Sequence, residues 1–252
     1  MAADRGPADP ALVLVAHGSR ATGGDDAATA VATAVTRRRP GHVVRLAYLS
    51  HGAPLLADAL TELATEGAHA AVLVPLLLST GVHATTDIDA AVSGAALHHP
   101  TLAVTAAGPL GPDRLLVAAV RERLGEAGAT PRPGLVVVLA AAGSTDPVGI
   151  DDVERTATML QSVAAYDDVL VGYVGGADPD LATTITDAVA RGAGTVVVVP
   201  YLLGDGHFAR LARDVQREGV VVTAPLGAHA GVIDLVLLRY DAARQLVATE
   251  AS

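Results

Sequence analysis

The chain has 252 residues, of which 51% are hydrophobic and 17% charged, with 26 Gly, 14 Pro and neither Cys nor Trp. Without cysteine there is no disulfide scaffold, no thiolate metal site and no Cys nucleophile. Seventeen basic residues, every one Arg, stand against 27 acidic residues for a net charge of −10. That balance, with 2% aromatics, argues against nucleic acid as a partner, because such binding rests on a basic surface and stacking side chains. Apolar runs such as Ala70 to Leu78 are about half the roughly 20 residues that a membrane span needs. Met1 to Pro10 lacks the basic and apolar regions of an export signal and reads as a short disordered leader of a cytoplasmic protein. The nine histidines are the most versatile metal-ligand type left in the chain.

In chain order, strands are expected at Ala11 to Ala16, His42 to Tyr48, Ala70 to Leu78 and Leu102 to Ala106. They are near-continuous apolar runs, as in parallel strands covered on both faces. Between and after them lie helical stretches at Asp25 to Arg38, Pro54 to Thr65, Thr85 to Leu97 and Pro112 to Gly125. Their apolar residues recur every three or four positions, as in Leu56, Leu60 and Leu63. Strand–helix alternation with short connections predicts an α/β fold with a parallel sheet.

Gly125 to Gly134 interrupts this pattern with Gly, Pro and small residues. Strands then recur at Leu135 to Ala140, Val169 to Val174, Val196 to Leu203 and Val220 to Ala224. Helices are expected at Ile150 to Val163, Pro179 to Arg191, His207 to Glu218 and Ala230 to Ala248. Three blocks align between the halves at one spacing of 125 residues, pairing Tyr48 with Tyr173, Pro54 with Pro179, Pro75 with Pro200 and Gly81 with Gly206. Gly18-Ser19 falls on Gly143-Ser144, and His17 on Ala142. The chain is therefore expected to hold a leader (1–10), an α/β domain (11–127), a linker (128–134) and a second α/β domain (135–252). Each domain is expected to be a small parallel sheet flanked by helices, and the duplication to leave the protein a monomer.

Ligands of open parallel sheets bind beyond the carboxyl ends of the strands. Ala16-His17-Gly18-Ser19-Arg20 follows the first strand, and Ser79 to Asp87, with Gly81 and His83, follows the third. This puts His17 and His83 at one edge of one sheet. Gly18 permits close backbone approach, and Gly81 is expected to provide the turn that aims a His83 loop over the edge. A single His after a strand is more often a cap or a loop hydrogen-bonder, but two at strand ends of one sheet point to a metal. Asp87 sits where it would support a helix N-terminus. There is no G-x-S-x-G elbow around Ser19 and, without Lys, no P-loop.

The segments "LVAHGSR" and "P-L-L-L-S-x-G-x-H-x-x-x-D-I" (Pro75 to Ile88), with the repeat of about 125 residues, resemble the class II chelatases. These are the sirohydrochlorin chelatases of siroheme and cobalamin synthesis, and the resemblance covers residues 11 to 240. It implies insertion of Fe²⁺ or Co²⁺ into a carboxylate-rich tetrapyrrole, with no nucleotide and no prosthetic group. The family's two active-site histidines map onto His17 and His83, as catalytic groups and metal ligands. Gly18, Ser19, Arg20, Ser50, His51 and Gly81 are then expected to face the substrate. Family members commonly carry an acid where Ser50 stands, so a metal-guiding carboxylate is missing. His51 is either a third imidazole or an exposed loop residue.

The second half has Ala142 at the position of His17, and either Phe208 or His207 at that of His83, so its site is expected to be degenerate and to form the opposite wall of a cleft. His207, Arg210 and Arg213 lie at helical spacing, either meeting substrate carboxylates or forming a solvated face. Arg20 and Arg45 are weaker candidates of that kind. The rivals of the chelatase reading are a non-catalytic tetrapyrrole or metal carrier and a small-ligand module of periplasmic-binding type.

Overall fold

Ala11 to Ala16 is an unbroken apolar run, and all six side chains are buried in the computed structural model. The structure describes residues 9–18 and 26–250, without the side chains of 82–84 and 246–250. The first half runs β1 (Ala11–Gly18), α1 (Asp26–Arg38), β2 (Val44–His51), α2 (Leu56–Thr65), β3 (Ala70–Pro75), α3 (Val82–His98), β4 (Ala103–Ala106) and α4 (Arg114–Glu126). The second runs β5 (Leu135–Ala141), α5 (Pro147–Val163), β6 (Asp168–Tyr173), α6 (Leu181–Ala190), β7 (Thr195–Pro200), α7 (His207–Arg213), β8 (Val220–Val222) and α8 (Ala230–Glu250). Each half forms a four-stranded parallel sheet, in the orders β2-β1-β3-β4 and β6-β5-β7-β8. The α/β class and the repeat are both present.

Side chains along a strand alternate between faces, and the cores follow that alternation. Val13, Val15 and Leu73 lie in one cluster with Leu56, Leu60 and Leu63 of α2 and Ile88 of α3. Leu12, Leu14, Val72 and Val74 face the other way and join Val137, Leu139, Val197 and Val199 of the second sheet in a single core. The layer between the sheets is made of helices, and its outer members are exchanged. α8, the last helix of the chain, packs on β3, β4 and α1, whereas α4 packs on α5 and β7. The two halves thus share one interior.

Several boundaries differ from expectation. β3 stops at Pro75 rather than Leu78, and the Leu76 N–H makes the last ladder bond to β1, at the Val15 carbonyl, 2.8 Å away. α3 begins at Val82, one turn before the expected Thr85, so His83 lies in its first turn and not in a loop. α7 ends at Arg213 instead of Glu218, where a turn between Arg217 and Val220 takes over, with Gly219 at φ +76°. Of the expected leader, residues 1–8 lie outside the described residues. Its last two residues are held: the Tyr240 hydroxyl donates to the Pro10 carbonyl at 2.6 Å, and Asp9 pairs with Arg244 at 2.8 Å.

Candidate metal and substrate cleft

From β1 the chain crosses one way to β2 and then back over to β3, so the sheet order reverses between β1 and β3. The crevice of such a sheet opens at that point, beyond the strand ends. The second sheet has its reversal between β5 and β7. Both crevices open into one cleft of about 650 Å³ between the halves, lined by His17, Gly18, Thr80 and Gly81 from the first and by Gly143, Ser144, His207 and Phe208 from the second.

His17 is the exposed seventh residue of a strand whose first six are buried. The pairing of β1 with β2 slips between Ala16 and Gly18, a bulge that re-aims the side chain at the strand end. Gly18 makes this possible: its φ is +88°, and a Cβ there would lie 1.7 Å from the His51 carbonyl oxygen. Ser50 Oγ donates to the His17 carbonyl at 2.9 Å. Where the resemblance led to an expected acid, the hydroxyl thus holds the backbone of the first histidine. His51 is half-buried at the end of β2, and it is Gly18 that its carbonyl packs against. Its side chain is not part of the cleft lining.

The His83 side chain, and Ser19 and Arg20 altogether, lie outside the described residues. Gly81 does not form the expected turn. It has an extended φ of −142°, a Cβ would meet nothing within 4 Å, and its role is N-cap of α3. Asp87 is exposed in the second turn of α3, past the N-terminus it was expected to support.

The second half reproduces the backbone without the imidazole. Gly143 has φ +97°, and a Cβ there would lie 1.6 Å from the Gly175 carbonyl. Ala142 takes the place of His17 in the lining. Phe208 and His83 are each the second residue of a helix capped by glycine, Gly206 and Gly81, so Phe208 is the counterpart by position and His207 stands one residue earlier. The two rings meet at 5.5 Å between centroids. The arginines lie elsewhere. Arg210 lines a neighbouring hollow with Asp26, Asp205 and Arg213, and Arg213 is paired with Asp205. Arg45 pairs with Glu66 at 2.9 Å. It lies in register with Val13, at the amino end of β2 and away from the carboxyl ends that border the cleft.

Two groups not singled out by sequence reasoning also shape the cleft. Thr80 lines it and is bonded to the buried Asp152 of α5. Tyr201 is buried with its phenol pushed far up, first by that burial, and its hydroxyl donates to the Leu78 carbonyl at 3.2 Å. Among the described residues, no three His, Asp or Glu side chains gather in a metal-binding group.

The CbiX family model matches residues 11–127 and 136–243. A sirohydrochlorin ferrochelatase of Priestia megaterium is 27% identical over 234 residues, covering 90% of this chain and 87% of that protein. A sirohydrochlorin cobaltochelatase of the same organism is 24% identical, over 82% of this chain and 68% of its own length. Among solved structures, SirB from Bacillus subtilis with Fe³⁺ superposes with a TM-score of 0.77 at 25% identity, over 92% of this chain and 94% of the other. With both halves matched by one family model, and the duplicated sheets meeting in one cleft, this chain belongs to the CbiX family.

Proposed function

We propose that the protein inserts a divalent metal, Fe²⁺ or Co²⁺, into sirohydrochlorin, with the first half carrying the chemistry. The observation that carries this reading is the placement of His17. It is exposed into a cleft between duplicated sheets, at a strand end re-aimed by Gly18, in a chain whose relatives are named for that reaction. Insertion exchanges two pyrrole N–H protons for one M²⁺. Neutral imidazole, with an ordinary pKa of about 6.5, suits both holding such an ion and accepting a proton near neutrality. His17 and His83 are the proposed ligands and proton acceptors, with the metal and the tetrapyrrole as substrates and no prosthetic group. Gly18, Gly81 and His207 line the pocket for the macrocycle. The shared core favours a monomer, and among the described residues no helix is long and apolar enough to cross a membrane.

The test follows sirohydrochlorin absorbance with Fe²⁺ and Co²⁺ for wild type, His17→Ala, His83→Ala and His207→Ala. Expected are loss of turnover in the first two and a milder effect in the third. A wild-type rate no greater than that of metal alone would sink the chelatase reading. One observation favours a second reading: Ser50 stands in the acidic position and spends its hydroxyl on the His17 backbone. Tight sirohydrochlorin binding without turnover would make the protein a carrier instead.

A further inference from the structure

The connection from β3 to α3 belongs to the first half but is gripped by the second. Asp152, within α5, is 4% exposed, a place where a carboxylate is costly unless its oxygens find donors. Its Oδ2 accepts the Thr80 main-chain N–H at 2.9 Å and the Thr80 hydroxyl at 2.7 Å. Arg155 approaches only to 3.9 Å, at the other oxygen, which is beyond hydrogen-bonding range. On the same connection, Tyr201 Oη donates to the Leu78 carbonyl. The backbone of α5 closes on it as well, since a Cβ on Gly149 would come within 2.3 Å of the Thr80 carbonyl oxygen. Thr80 directly precedes Gly81, the N-cap of α3, and His83 lies in the first turn of that helix.

Among the described residues, the carboxylate's grip runs one way. At the repeat spacing, Asp152 corresponds to Ala27 and Thr80 to Asp205. That second pair also lies together, in the hollow beside Arg210, but a methyl group cannot accept a hydrogen bond. The half that lost its imidazole at Ala142 is thus the half that supplies the buried carboxylate.

We infer that Asp152 is a positioning residue: it fixes the connection that aims the first turn of α3, and so sets His83 relative to His17. This rests on the two-histidine reading above. It gives the second half a part in metal delivery without a metal ligand of its own.

The experiment compares full-length wild type with Asp152→Ala, Asp152→Asn and Thr80→Val. The readouts are hydrogen exchange of amides 80–86, Co²⁺ affinity by calorimetry, and separate KM values for metal and sirohydrochlorin. In Asp152→Ala, exchange at 80–86 should rise and Co²⁺ affinity fall by about tenfold each, the scale of a lost hydrogen bond to a charged group. KM for sirohydrochlorin should stay unchanged. Asp152→Asn should restore both, because a carboxamide oxygen accepts the same two bonds. Thr80→Val, which removes the hydroxyl bond from a half-buried residue, should show the same changes at smaller size even if Asp152→Ala does not fold. Unchanged Co²⁺ affinity in Asp152→Ala or, if that variant does not fold, in Thr80→Val would overturn the inference, as would Asp152→Asn behaving like Asp152→Ala. A wild type that inserts no metal would instead defeat the chelatase reading itself.

Discussion

Arg123 and Arg239 make the same bonds in opposite directions. Arg123, on α4, donates from Nε to the Pro225 carbonyl and from Nη2 to that of Leu226, both at 2.9 Å. Arg239, on α8, donates from Nε to Pro109 at 2.9 Å and from Nη2 to Leu110 at 3.0 Å. Each exchanged helix is thereby tied to the chain end of the sheet in the other half. The caps match too: Asp113 Oδ1 accepts the Leu115 N–H, and His229 Nδ1 accepts that of Gly231. With Nδ1 so occupied, the His229 Nε2–H donates to Glu122 at 2.8 Å.

Loss of either arginine should therefore weaken both halves together. Arg123→Ala and Arg239→Ala are each expected to cost about 1–3 kcal/mol, given that the bonds are charge-assisted but partly exposed. Urea unfolding should remain a single transition whose midpoint falls. Two separated transitions in either variant would mean that the halves unfold independently and that the shared core does not couple them.

Gly18 offers a sharper substitution. Gly18→Ala would force both a left-handed φ on a residue with a side chain and a clash with the His51 carbonyl. The expected loss is about 2–4 kcal/mol, as for an alanine placed at positive φ with overpacking. Gly125→Ala, within α4 where a Cβ meets nothing within 4 Å, should be neutral or slightly stabilising. Thermal melts of the two variants side by side make the measurement, and equal melting temperatures would show that the bulge at β1 relaxes freely.

The duplication was legible because Tyr48, Pro54, Pro75 and Gly81 all find partners at one spacing. The helix exchange was not. α7 is much shorter than α3, so the repeat spacing shrinks just before the matched arginines, and an apolar helix face does not say which sheet it covers. His17 and Gly18 stood out as an imidazole and a glycine ending an apolar run. Asp152 gave no such signal, since beside the exposed Asp151 it reads as one more solvated helix residue. Only the phase of α5 against the other half buries it. Gly81 misled in the opposite sense: a glycine before a histidine suggests a turn, yet its backbone is extended.

Asp180 predicts a pH dependence. It is the N-cap of α6, and its carboxylate accepts bonds from the Thr183 hydroxyl and from the Thr183 and Ala182 N–H groups. The Thr183 hydroxyl leads in holding its pKa below the usual carboxylate value. A group whose pKa is lower folded than unfolded stabilises above the unfolded value, about 3.9, and loses that contribution as pH falls through the folded value. Asp180→Ala should therefore melt below wild type at pH 7, with the gap closing under acid conditions. Asp180→Asn, which keeps an acceptor, should lie between. A gap that widens as pH falls would contradict the assignment.

Phe208 tests the wall of the cleft facing His17. It is the chain's single Phe and is 41% exposed, backed by Gly175, whose added Cβ would touch the ring at 3.4 Å. An aromatic face left open to a cleft gains from a conjugated ligand laid against it. Under the proposed function, Phe208→Ala should raise KM for sirohydrochlorin by about 3–10-fold, the equivalent of about 0.6–1.4 kcal/mol of ring contact. Turnover and Co²⁺ affinity should be unchanged, and Phe208→Tyr should bind as wild type does. Fluorescence titration of the free tetrapyrrole separates these effects. Weakened Co²⁺ binding with unchanged tetrapyrrole binding would instead place Phe208 on the metal's path, in the role its repeat partner His83 is proposed to fill.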